Sequence, residues 1–107
     1  MTEYQIFKKA IETYGEREQS AMVMEECGEL IRAVNKMHRE PTAVHRCDLL
    51  SEIADVLVMI DQLLIMYNLS INNVERARKN KVERLRRRLD PDSPEHDDHD
   101  VSGLLDD

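Results

Sequence analysis

The stretch LLSEIADVLVMIDQLLIM, residues 49–66, most constrains what this chain can fold into. Its apolar residues cover nearly every side of a helix rather than a single stripe, so such a helix must be covered over most of its surface. A membrane could do that, but Glu52, Asp55 and Asp61 interrupt the run, and carboxylates at that density argue against a span. Protein must therefore cover it. A chain of 107 residues has few other helices to offer, so a homo-oligomer is expected.

The surrounding sequence supports an all-α domain. Aromatic residues are few, glycines and prolines are scarce, and the apolar content is mainly aliphatic. Ile6, Phe7, Ala10, Ile11 and Tyr14 recur at helical spacing between Thr2, a good N-cap, and Gly15, a good stop, which predicts a helix over about 3–14. A second helix is expected over about 18–38. It carries one apolar line through Met24, Cys27, Ile31 and Val34 and another through Val23, Leu30, Ala33 and Met37. Pro41 marks its end, and residues 39–46 read as a loop. The third helix is expected over about 48–68 and the fourth over about 71–89, with Ser70 as its cap. The expected protomer is four-helix bundle-like.

Two acidic motifs stand out on successive helices. In EECGEL, residues 25–30, Glu25, Glu26 and Glu29 share one side of the second helix. Like charges one turn apart cost a few tenths of a kcal/mol, and Gly28 costs about 1 kcal/mol relative to alanine. On the third helix, Asp48, Glu52, Asp55 and Gln62 form the main polar stripe of an otherwise apolar surface. Carboxylates in such a setting must be paired, protonated or bound to a cation. If the two helices pack antiparallel, Glu26, Glu29, Glu52 and Asp55 can meet and favour a divalent cation. All-oxygen ligation suits Mg²⁺ or Mn²⁺. Neither acidic pair has a histidine three residues on, which lowers the rank of iron.

Charge is distributed unevenly. Of 22 acidic residues, eight fall in residues 90–107, which contain no Lys or Arg, leaving 14 acidic against 15 basic in residues 1–89. The net charge of −7 thus belongs to a tail, expected to be disordered, behind a nearly neutral domain 1–89. The fourth helix is strongly basic, and Arg78, Lys81, Arg84 and Arg88 recur on it at helical spacing, which suits a polyphosphate. Cys27 and Cys47 follow no metal-ligand spacing, and the N-terminal residues carry no apolar signal region, so a reduced, cytoplasmic setting is expected.

Taken together, EExxE (Glu25-Glu26-Cys27-Gly28-Glu29), ExxD (Glu52-Ile53-Ala54-Asp55) and the following Lys/Arg-rich helix resemble the MazG-like all-α nucleoside triphosphate pyrophosphohydrolases over about residues 3–89. The resemblance implies a four-helix bundle that forms a homodimer or homotetramer. It also implies Mg²⁺ at the acidic cluster, and hydrolysis of a nucleoside triphosphate to the monophosphate and pyrophosphate. Carried over by position, it makes Glu26, Glu29, Glu52 and Asp55 the metal ligands and Glu25 a water-orienting or supporting group. Phosphate-binding residues would fall among Lys79, Asn80, Lys81 and Arg84.

Two other classes stand beside this reading. One is a non-catalytic helical interaction or oligomerisation protein, whose acids and bases pair across subunits. The other is a nucleic-acid binder acting through the fourth helix, net +6 over residues 71–89. That helix has no aromatic residue for stacking and is followed by the acidic tail, which counts against nucleic acid as a partner.

Overall fold

Helix formation begins where the sequence supplies a cap. The Thr2 hydroxyl accepts from the Gln5 amide at 3.1 Å, and the Gln5 side chain accepts from the Thr2 amide at 2.9 Å. This reciprocal capping box opens α1, Glu3–Tyr14. Gly15 then adopts φ +91°, a conformation that side-chain-bearing residues rarely take, and leads directly into α2, Glu16–Arg39. After a short link come α3, Ala43–Met66, and α4, Ile71–Leu89. The computed structural model describes residues 1–90 and 92, and among these it contains four helices and no strand. The expected disordered tail, residues 90–107, lies outside the described residues apart from Asp90 and Asp92.

One boundary differs from expectation. The segment 39–46 is not a loop, because α3 starts at Ala43 rather than near Asp48. The Thr42 hydroxyl accepts from the His45 amide at 3.1 Å, and the His45 ring donates through Nδ1 to the Glu40 carbonyl at 2.7 Å. Thr42 immediately after Pro41 is the cap that starts the helix early. The third helix also stops at Met66, before Asn68, which takes φ +52°. Ser70 does precede α4, but its side chain makes no capping hydrogen bond.

The chain divides into two compact units, Met1–Asn68 with α1–α3 and a second that begins at Leu69 and holds α4. In the first unit, α2 packs along α3 in its most extensive contact, and α1 lies against both. The pairing is antiparallel. Gln19 meets Gln62 and Ser20 meets Tyr67 at one end, while Ala33 and Asp48 line one cleft at the other. On α2 the inward positions are Gln19, Val23, Glu26, Leu30, Ala33 and Met37. On α3 they are Leu49, Glu52, Val56, Met59, Leu63 and Met66. Both sets alternate steps of three and four, the spacing of a coiled-coil seam. Glu26 and Glu52 therefore occupy places in an otherwise mostly apolar row.

The other apolar line of α2 points outward. Met24 is 70 % exposed and Ile31 71 %, and Cys27 on the same line is exposed too. On α3, Leu50, Ile53, Leu57 and Ile60 are likewise exposed, again at steps of three and four. Only Ala33, Met59, Gln19 and Gln62 are buried outright among the described residues. Within Met1–Asn68, no atom of α1 or α3 comes within 4 Å of where a Cβ on Gly28 would sit, so those two helices make no close approach there.

Candidate functional site

The inward row carries the acids of both motifs to one place. Carboxylate oxygens of Glu26, Glu52 and Asp55 lie within 4.8 Å of one another, Glu26 and Glu52 half-buried and Asp55 exposed. The reason is geometric. Glu26 and Glu52 face each other because both sit at seam positions of antiparallel helices, and Asp55 follows Glu52 one turn later on the solvent side. Glu52 Oε2 is buried and has no hydrogen-bond partner among the described residues. An ionised oxygen in that state is costly unless a cation reaches it.

Electrostatics agree with this crowding. The Glu26 carboxyl is held above its ordinary value by partial burial first, then by the negative charges of Asp55, Glu52, Glu25 and Glu29. No basic side chain lies among the causes. Three carboxylates so arranged form an all-oxygen donor set, and the orphaned Glu52 oxygen shows that the described residues do not satisfy it from within. The residues present therefore fit a hard divalent cation.

The other expected site residues take different places. Glu29 is one turn along α2 from Glu26, but its carboxylate turns toward Arg32 at 3.5 Å and lies outside the three-acid set. With Arg32, Ala33, Lys36, Asp48 and Glu52 it lines a small cleft of about 90 Å³. Asp48, Arg32 and Lys36 were not among the expected site residues. The helical spacing of Glu29, Arg32 and Lys36 was the signal that could have found the two cations. Glu25 is exposed on the turn beside Glu26. Lys79, Asn80 and Lys81 are exposed on α4, and Arg84 is half-buried there. They belong to the second compact unit.

Farther along the same groove between α2 and α3 is a buried amide pair. Gln19 Nε2 donates to Gln62 Oε1 at 2.7 Å, with the two residues 7 % and 5 % exposed. Gln62 also approaches the Met59 sulfur at 3.7 Å. Gln62 belonged to the polar stripe read from the sequence, whereas Gln19 did not; it stands two turns before Glu26, as Gln62 stands two turns after Asp55.

No helix among the described residues is long and apolar enough to cross a membrane. No curated protein and no solved structure matches the chain. The family model of the MazG nucleotide pyrophosphohydrolase domain matches residues 15–89, from the glycine that opens α2 to the last residue of α4. That match spans both acidic motifs and covers well over half of the sequence, so the chain belongs to the MazG nucleotide pyrophosphohydrolase family.

Proposed function

We propose that this protein hydrolyses a ribo- or deoxyribonucleoside triphosphate between its α and β phosphorus atoms, giving the monophosphate and pyrophosphate. Water supplies the oxygen that bonds to the phosphorus, the bridging P–O bond breaks, and pyrophosphate leaves with the electron pair. The observation that carries this reading is the convergence of Glu26, Glu52 and Asp55 around an orphaned buried oxygen. Membership of the family supports the reaction class.

Glu26, Glu52 and Asp55 would hold Mg²⁺, for which Mn²⁺ is the natural substitute, and Glu29 would join them by exchanging Arg32 for the ion. An exposed pair such as Glu29–Arg32 is worth about 0–1 kcal/mol, so the exchange is inexpensive. When bound, the cation neutralises polyphosphate charge and makes a coordinated water more acidic. The protein's own contribution is placement. Packing of the inward row holds Glu26 and Glu52 in fixed directions, while Asp55 faces solvent, from which the substrate arrives. Glu25, exposed beside Glu26, would orient the water by accepting its hydrogen bond. On α4, Lys79, Asn80, Lys81 and Arg84 are the phosphate-binding residues of this proposal.

The exposed rows on α2 and α3 support a homo-oligomer, dimer or tetramer, as the working form. Each outward Leu, Ile or Met that a partner covers contributes about 1–2 kcal/mol, and the monomer buries too little to leave them idle.

The test is release of pyrophosphate from a panel of ribo- and deoxyribonucleoside triphosphates in the presence of Mg²⁺. Turnover of at least one, lost on Glu52→Gln or Asp55→Asn with helix content intact, is expected. Absence of turnover across the panel with both Mg²⁺ and Mn²⁺ would overturn the proposal in favour of a non-catalytic interaction protein.

A further inference from the structure

The surface of α4 combines two properties that a single solvated face does not need. It carries Arg76, Arg78, Lys79, Lys81, Arg84, Arg86, Arg87 and Arg88 against Glu75 and Glu83. Along it runs an open groove of about 400 Å³, lined by Val74, Ala77, Arg78, Lys81, Val82 and Leu85. Val82 and Leu85 are each about half exposed. The groove thus has an apolar floor with cations along it. A partner for it should be acidic and should also bring aliphatic side chains.

The chain contains such a partner. Residues 90–107 hold eight carboxylates and no Lys or Arg, and within them stand Val101, Leu104 and Leu105. The first of these acids already turns back: Asp90 lies 3.8 Å from Arg86 across one helical turn. Asp90 and Arg86 belong to the same compact unit. We propose that residues 91–107 bind α4 as an intramolecular ligand, their carboxylates on the arginine-rich face and Leu104 and Leu105 in the Val74–Leu85 groove. A stretch of carboxylates on these cations imitates the charge of a polyphosphate. Where α4 is the phosphate-binding helix, which rests on the function proposed above, the tail competes with substrate.

The deciding experiment uses a fluorescent synthetic peptide of residues 91–107, the full chain, and a variant lacking residues 91–107. Fluorescence anisotropy should show salt-dependent binding of the peptide to the shortened chain. A tethered segment has an effective concentration of about 1 mM, so for a peptide of about 100 µM affinity the full chain should bind about ten-fold more weakly. Arg78→Gln with Lys81→Gln should weaken peptide binding to the shortened chain, and Leu104→Ser with Leu105→Ser in the peptide should do the same. No binding to the shortened chain, equal binding to both chains, or indifference to the α4 substitutions would each overturn the proposal. So would equally tight binding of single-stranded DNA by both chains, which would assign α4 to nucleic acid. Kinetics give a separate arm: removal of the tail should lower KM with kcat unchanged, and the difference should shrink as salt is raised. An inactive full chain would defeat the hydrolase reading alone, because the peptide measurement stands without turnover.

Discussion

Replacing Glu52 by glutamine should move stability in opposite directions with and without a divalent cation. In the metal-free protein, Glu52 adds a negative charge within 4.8 Å of those of Glu26 and Asp55. Two unit charges at that distance repel by about 0.9 kcal/mol in bulk water and about 3.5 kcal/mol at an effective dielectric near 20. Glu26 is only half-buried and Asp55 is exposed, so solvent screens both pairs and the lower figure governs. Two such pairs give about 2 kcal/mol, which for a domain of this size raises Tm by about 10 °C. The glutamine also brings a donor to the place where Oε2 has no partner among the described residues. With the cation present the sign reverses. A site filled at 100 times its Kd stabilises the wild type by about 2.7 kcal/mol. The Glu52→Gln variant, stripped of that charge, should keep less than a quarter of the gain, under about 0.7 kcal/mol, and so melt below the wild type. Circular dichroism melts in EDTA and in excess Mg²⁺, for both proteins, measure all four values. A Glu52→Gln variant that melts lower than the wild type in EDTA, or that keeps the whole Mg²⁺-induced gain, would refute the reasoning.

The remaining predictions concern groups around the same groove and the outward rows. Because the Glu26 pKa is raised in the folded protein, the folded state binds more protons than the unfolded one between the ordinary value of 4.5 and the raised value. Metal-free stability from this group is full below pH 4.5 and is lost as pH rises through the raised pKa, so Glu26→Gln should flatten that decline in urea titrations. Gln19→Leu alone leaves Gln62 buried without its partner and should cost about 1–3 kcal/mol, whereas Gln19→Leu with Gln62→Leu should recover most of it; equal losses for the single and double variants would contradict the pairing. If the proposed homo-oligomer forms through these rows, Ile31→Asp or Leu57→Asp should convert it to monomer in light scattering while helix content persists, since both side chains are exposed in the single chain. A monomeric wild type at micromolar concentration would remove the basis of that expectation.

How much of this is legible from residues alone depends on how local the cause is. Thr2, Gly15 and the apolar periodicity of α1 act within a turn or two, and α1 lies where they place it. The start of α3 departs from expectation because Pro41 and Thr42 are adjacent signals of opposite sense, and the cap at Thr42 decides the outcome. The two acidic motifs are legible as partners because helix periodicity puts Glu52 and Asp55 on one side of α3 and a short link makes neighbouring helices antiparallel.

Sequence by itself determined the all-helical class, the two acidic motifs, the basic fourth helix and the segregation of charge into residues 90–107, since each follows from residue type and a repeat of about 3.6. Only tertiary structure decided which of two apolar lines on α2 turns inward. That choice placed Glu26 and Glu52 in the inward row, left Met24, Cys27 and Ile31 in solvent, and turned Glu29 toward Arg32. Periodicity assigns residues to faces, but both faces of α2 are apolar enough to bury. The partner helix selects between them, through contacts such as Gln19–Gln62, 43 residues apart in sequence, that no local pattern encodes.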